Sequence, residues 1–174
     1  MEILDPPDYS TVNELFGLWK KIRMDLLSLL ESVTDESLTA PSPGQWSLSE
    51  VMEHLYLSQL SVYLVIKKIS REQPDPTTRT IDYRDVRKKT FEARNVKNPE
   101  AVSPGKNYPK MQILELLAKS ENKLEALLLA ADKENLRAHG FDHPLYGNMN
   151  LFDWIWVMAL HELRHLKFMQ ERLG

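Results

Sequence analysis

The sequence predicts an all-α protein, a four-helix bundle with a long crossover connection between its second and third helices. Four long segments repeat apolar residues with the period of an α-helix, and no segment carries a clear strand pattern. Polar or proline-bearing stretches separate these segments, and the stretch at residues 77–109 is too long for a simple turn. The chain has 174 residues, and we expect it to form one domain, 1–174.

The first two predicted helices have clear boundaries. Helical periodicity covers residues 11–33 and then stops at a polar pair. Ser47 is followed three residues later by Glu50, which is the pattern of a capping box and predicts the start of the second helix. This helix is expected to run to about Arg71, because Pro74 cannot continue it.

The second half of the chain contains two more long helices. The connection before them holds one short predicted helix, Tyr83 to Arg94. The third long helix is predicted from Lys110 to Ala131. Asn150, with Asp153 three residues later, predicts the cap of the last helix, which runs from Leu151 to about Leu173.

Composition limits the classes of function. Apolar residues make up 43% of the chain and the formal net charge is −3, which does not favour binding to nucleic acid through phosphates. Because cysteine is absent, any metal must be held by nitrogen and oxygen ligands. The N-terminal residues lack the pattern of a signal peptide, and no apolar run approaches the ~20 residues of a membrane span. We therefore expect a cytoplasmic protein with no membrane partner.

His161 and His165 are the strongest functional signal. They lie four residues apart on the last predicted helix, which places them ~40° apart and one turn from each other. Both fall within the apolar stripe of that helix. A single histidine in such a stripe is usually a hydrogen-bonded core residue. Two stacked imidazoles both need partners for their ring nitrogens, and one divalent cation can serve both. The pair predicts one half of a buried divalent-metal site.

The other three histidines differ in their suitability as a third ligand. His54 lies at the edge of the stripe of the second helix, where it can face a groove between helices; the alternative is a half-exposed surface histidine. His139 is expected to be solvated, and His143 either supports the site or shapes the turn before the last helix. Three imidazoles without a thiolate favour zinc, nickel or another late first-row metal, and they leave a coordination position open, as in catalytic sites.

The run from His161 to His165 also fits H-E-x-x-H, the signature in which a metalloprotease uses the glutamate as general base. Zincins usually take a third ligand downstream, and only residues 166–174 remain here. Glu162 is also turned ~100° away from His161 around the helix. We therefore expect Glu162 to pair with a neighbouring helix or to support a ligand.

Three segments together resemble the DinB-like superfamily of metal-dependent four-helix bundles. Residues 46–55 resemble the start of the family's second helix with its first metal histidine, residues 143–147 resemble the segment before the last helix, and residues 161–165 resemble the closing H-x-x-x-H. The resemblance implies a long connection between the second and third helices and a homodimer. It also implies a zinc or nickel site formed by His54, His161 and His165.

The best understood members of this family are S-transferases and isomerases that use low-molecular-weight thiols such as bacillithiol or mycothiol. The resemblance thus implies a metal-dependent transferase with a small-molecule substrate and a thiol that the metal activates. Two alternatives stay open. One is a metal-dependent hydrolase in which a metal-bound water attacks and Glu50 or Glu162 is the general base. The other is a non-catalytic, stress-related bundle whose metal is structural or absent.

Overall fold

Four long helices form the body of the protein in the computed structural model, which describes residues 3–92 and 98–174. They are α1 (Val12–Glu31), α3 (Leu48–Ile69), α5 (Lys110–Leu129) and α7 (Leu151–Leu173). The all-α four-helix bundle is therefore confirmed, with residues 70–109 connecting α3 to α5. No helix in the described part of the chain is long and apolar enough to cross a membrane.

Shorter elements fill the connections. They are α2 (Asp35–Thr39), α4 (Tyr83–Glu92), α6 (Lys133–Ala138) and two 3₁₀ helices, Pro6–Asp8 and Glu100–Val102. The predicted end of the short helix at Arg94 lies outside the described residues. A hairpin of β1 (Gly140–His143) and β2 (Gly147–Asn150) precedes α7. The sequence did not predict this hairpin, because strands of four residues are too short for a readable alternation.

Both predicted helix caps are present. The Ser47 hydroxyl accepts a hydrogen bond from the Glu50 amide (3.0 Å), and the Glu50 carboxylate accepts one from the Ser47 amide (2.7 Å). Before α7, the Asn150 side chain accepts a hydrogen bond from the Asp153 amide (2.8 Å). These bonds satisfy amides that have no partner inside the helix, and they fix where α3 and α7 begin.

The helices pack in pairs around a shared core. α1 packs mainly against α7, α3 packs mainly against α5, and α3 also contacts α7. The apolar stripes that predicted the helices supply buried side chains, among them Leu15, Trp19, Ile22, Leu26, Leu55, Ile113, Leu124, Leu151 and Met169. This packing brings α3 and α7, the two helices with the candidate ligands, side by side.

Candidate metal centre

His54 from α3 meets His161 and His165 from α7. The Nε2 atom of His161 lies 3.0 Å from Nε2 of His54 and 3.1 Å from Nε2 of His165. The ligand atoms of all three residues lie within 4.8 Å of one another, so the group can hold one metal ion. In the described residues this is the one such group of histidine and acidic side chains.

The spacing of the three nitrogens suits a late first-row cation. Zinc binds histidine nitrogen at about 2.0–2.1 Å, so two ligand nitrogens at 90–110° around it are separated by about 2.9–3.3 Å. The two distances to Nε2 of His161 fall within that range. Without a cation, each of these ring nitrogens carries either one proton or one lone pair, so Nε2 of His161 can form a hydrogen bond with only one of its two neighbours. The donor set therefore fits a divalent metal better than it fits a hydrogen-bonded cluster.

The tautomer of His54 is fixed by the connection between α3 and α5. Its Nδ1 lies 2.7 Å from the carbonyl oxygen of Val102, an acceptor, so Nδ1 carries the proton and Nε2 keeps a lone pair. The carbonyl is held in place nearby, because Glu53 accepts hydrogen bonds from the amides of residues 105–107 (2.8–3.2 Å). A carbonyl behind a histidine is the usual outer support of a metal ligand.

All three rings are held in the neutral form that binds metals. Burial is the largest cause, and the positive charge of Arg164 adds to it. The pKa of His165 is lowered to about 3, that of His161 is lowered well below its usual value, and that of His54 is also lowered. Neutral imidazole is the ligand form, so no proton has to leave when a cation binds near neutral pH.

The burial of the three histidines differs from the prediction. His54, placed at the edge of its stripe by the sequence, is 2% exposed, whereas His161 and His165 are half-buried. The 3₁₀ helix at residues 100–102 packs against α3 and covers the edge on which His54 lies. His161 and His165 keep part of their surface because they face a cavity.

This cavity has a volume of about 790 Å³, which lies within the range for small-molecule sites. All three histidines line it. Most of the remaining wall is aromatic and aliphatic, with Trp46, Val51, Val62, Val65, Tyr146, Trp154, Val157, Met158 and Phe168 among its residues. Its polar side chains include Gln45, Ser58, Ser61, Thr90, Asn98, His143 and Arg164. Among the described residues, no carboxylate lines the cavity.

Neither candidate general base faces the cavity. Glu162 points into the bundle, where it accepts hydrogen bonds from Arg23 and from Nε1 of Trp19 (2.7 Å). Arg23 and Glu162 are 1% and 2% exposed, so this is a buried ion pair between α1 and α7. Glu50 is engaged in its capping bond with Ser47. The prediction that Glu162 pairs with a neighbouring helix is confirmed.

The other two histidines have different environments. His143 lines the cavity between the rings of Tyr146 and Trp154, and burial lowers its pKa to about 4. The prediction that His139 is solvated is wrong, since it is 3% exposed. Its ring nitrogens lie 2.7 and 2.9 Å from the carbonyl oxygens of Asn135 and Glu72, so it connects α6 to the segment that follows α3.

Sequence reasoning missed the roles of four residues around the site. Glu53, the Val102 carbonyl and Trp46, whose ring lies 4.9 Å from that of His54, all support His54, and Arg23 pairs with Glu162. Arg23 gave a weak signal, because it follows Trp19 by one turn at the margin of an apolar stripe. Val102 gave none, since a backbone carbonyl has no sequence signature.

With this architecture and site, the chain belongs to the DinB superfamily, whose sequence profile matches residues 18–169. The earlier resemblance is thereby confirmed. The chain is also similar to the uncharacterized protein YuaE of Bacillus subtilis (strain 168), with 23% identity over 161 residues. That alignment covers 89% of this chain and 94% of YuaE.

Two solved structures share the fold. TT2238, described as a four-helix bundle protein, has a TM-score of 0.62 and 25% identity, covering 92% of this chain and 99% of its own. YfiT from Bacillus subtilis has a TM-score of 0.62 and 19% identity, covering 100% of this chain and 92% of its own. YfiT is described as a probable metal-dependent hydrolase with an unusual four-helix bundle topology.

Proposed function

We propose that this protein is a metal-dependent S-transferase that joins a low-molecular-weight thiol to an apolar small-molecule electrophile. His54, His161 and His165 hold a divalent cation, zinc or nickel. The observation that carries the proposal is the convergence of three neutral imidazoles on the wall of a cavity whose described lining has no carboxylate. The set leaves a coordination position open toward the cavity.

A cation held there supplies a Lewis acid that lowers the pKa of a group in its open coordination position. The surrounding side chains orient the ligands and shape the binding cavity. Val102 and Trp46 orient His54, and the apolar wall excludes water from the reacting atoms. In the overall reaction the thiol sulfur forms a bond to the electrophilic carbon. The leaving group departs with its bonding electron pair, and the thiol proton passes to solvent.

The absence of a carboxylate from the described lining favours a thiol over water as nucleophile. A free thiol has a pKa of about 8.5, and the pKa of bulk water is far higher, so a thiol needs much less help to ionise. A hydrolase would gain from a general base beside the open position, and both glutamates considered for that role are engaged elsewhere. The hydrolase stays the second candidate because YfiT, which shares the fold, is described as one.

The test combines metal content with turnover. Purified protein, loaded with zinc or nickel, should hold about one ion per chain and should join bacillithiol to monochlorobimane. His161→Ala should lose both properties, since two imidazoles bind a cation far more weakly than three. His143→Phe is the matched control, because it changes a histidine of the same cavity that is not a ligand, and it should keep the metal.

Circular dichroism establishes that both variants are folded. Equal metal content in His161→Ala and in the unsubstituted protein would overturn the metal site. Metal-dependent hydrolysis of p-nitrophenyl acetate, without thiol transfer to monochlorobimane, would replace the transferase by the hydrolase.

A further inference from the structure

His143 belongs to a rigid aromatic wall of the cavity. Its ring stacks on that of Tyr146, with centroids 4.3 Å apart and planes inclined by 22°, and lies 4.7 Å from that of Trp154. Both neighbours are themselves held. The Tyr146 hydroxyl is hydrogen-bonded to that of Thr90 (2.8 Å), and Nε1 of Trp154 donates to the carbonyl of Phe141 (3.0 Å). The orientation of the His143 ring is therefore set before any ligand arrives.

The backbone also selects the tautomer of His143. The amide of Leu145 donates a hydrogen bond to Nδ1 (3.1 Å), so this nitrogen carries the lone pair. In a neutral imidazole the proton is then on Nε2, and none of the described residues accepts it. Because the ring lines the cavity, Nε2–H is the polar group that it offers to a ligand. In this tautomer the side chain is a hydrogen-bond donor and not a base.

The remaining wall defines the ligand that suits this donor. Trp46 and Phe168 add two further aromatic surfaces, which favour offset or edge contacts with another ring. Arg164 gives the lining a positive charge, and the described lining has no negative one. A cationic ligand would thus find no counter-charge, whereas a neutral or anionic ligand with an acceptor oxygen would find a donor.

We infer that this cavity binds the acceptor substrate as a planar aromatic molecule with a carbonyl or similar oxygen, and that His143 donates its Nε2–H to this oxygen. That the bound molecule is the acceptor of the thiol rests on the proposed function, whereas the binding of an aromatic carbonyl compound in this cavity does not. His143 is thus a substrate-binding residue. It lies between the rings of Tyr146 and Trp154, which contact the ligand on either side of it.

The experiment measures binding without turnover, through tryptophan fluorescence of the metal-loaded protein. The probes are acetylnaphthalene, ethylnaphthalene and dodecanone, which have the same number of carbon atoms and no leaving group. Acetylnaphthalene has both the aromatic body and the oxygen, and each of the others lacks one of them. We expect acetylnaphthalene to bind about fivefold more tightly than either of the others, which is the size of one ordinary hydrogen bond or aromatic contact.

The variant His143→Phe keeps an aromatic ring in the wall and removes the donor. It should bind ethylnaphthalene as the unsubstituted protein does, which shows that the cavity is intact, and it should lose the preference for acetylnaphthalene. A preference unchanged in His143→Phe would overturn the donor. Equal affinity for dodecanone and acetylnaphthalene, or no binding of any probe, would overturn the aromatic ligand. Since no probe reacts, a protein that binds them as expected but transfers no thiol would contradict the transferase alone.

Discussion

Glu162 shows how two adjacent residues of one helix serve different environments. His161 faces the cavity, and Glu162, turned by about 100°, enters the core between α1 and α7. There its carboxylate meets Arg23 and Trp19, and all three side chains are almost fully buried. A buried charge without its partner is costly, so this pair helps to fix how α7 packs against α1 and thereby where the two candidate ligands of α7 lie.

At this residue we predict that Glu162→Gln lowers the free energy of unfolding by about 3 kcal/mol, because the buried Arg23 loses its hydrogen-bonded carboxylate and keeps only the more distant charge of Glu121. Urea unfolding measures the change. The matched control is Glu125→Gln, which breaks the ion pair of Glu125 with Lys20 (2.7 Å) at a partly exposed position. It should cost about 1 kcal/mol or less.

The variant Glu162→Gln also separates a structural role of Glu162 from a catalytic one. If Glu162 were the general base of a protease-like site, Glu162→Gln would abolish turnover while leaving the unfolding midpoint almost unchanged. That combination would contradict the buried ion pair as the reason for this residue.

The segment after the 3₁₀ helix at residues 100–102 is the element that supports His54, the candidate ligand from α3. Its amides at 105–107 converge on the Glu53 carboxylate, and the Ser49 hydroxyl donates to the Tyr108 carbonyl (2.6 Å). Asn107 has a positive φ of 48°, a conformation that asparagine tolerates better than most residues. The connection is thus attached to the first turns of α3, with the Val102 carbonyl beside His54.

For this element we predict that Glu53→Gln accelerates hydrogen exchange at the amides of residues 105–107. The reason is that charge-assisted hydrogen bonds become neutral ones. Zinc affinity should fall roughly tenfold as the support behind His54 loosens. Exchange measured by NMR and zinc titration against a competing chelator provide the two readouts.

The control for this prediction is Glu50→Gln, the same change one turn earlier on α3. The Glu50 carboxylate accepts from the Ser47 amide, whereas the amides of residues 105–107 all donate to Glu53. This cap is linked to the segment through the Ser47 hydroxyl, which donates to Oδ1 of Asn107 (2.7 Å) and is kept in Glu50→Gln. Unchanged exchange at those amides in Glu53→Gln, or an equal increase in both variants, would show that the Glu53 carboxylate does not hold the segment.

At the scale of the whole molecule, the candidate ligands join two helices that are far apart in the sequence. α3 supplies His54 and α7 supplies the other two histidines. An ion that binds all three can bind only when both helices are in place, so its binding free energy adds to the stability of the fold.

We therefore predict that zinc at about 100 times its dissociation constant stabilises the protein by about 2.7 kcal/mol. For a chain of this size, that raises Tm by roughly 5–10 °C. Differential scanning fluorimetry measures the shift, and a chelator should reverse it. His161→Ala should show almost no shift. A Tm rise as large in that variant would place the cation elsewhere on the protein.

Local patterns in the sequence were sufficient for the helices and for half of the site. The caps at Ser47 and Asn150 and the one-turn spacing of His161 and His165 depend only on neighbours within four residues, and all of them appear as expected. Helical geometry is the same wherever a helix packs, so spacing alone places these side chains relative to one another.

Only the tertiary structure decided what surrounds the side chains that the sequence had singled out. The burial of His54 and His139, the partner of Glu162 and the absence of a carboxylate from the described cavity lining depend on which segments pack together. The connection between α3 and α5 places the Val102 carbonyl against His54. The course of such a connection cannot be predicted from the pattern of its side chains. The sequence proposed His54, His161 and His165 as the ligand set, with the pair on the last helix as its strongest part. Folding brought His54 beside that pair and supplied the Val102 carbonyl behind it and the cavity in front of it.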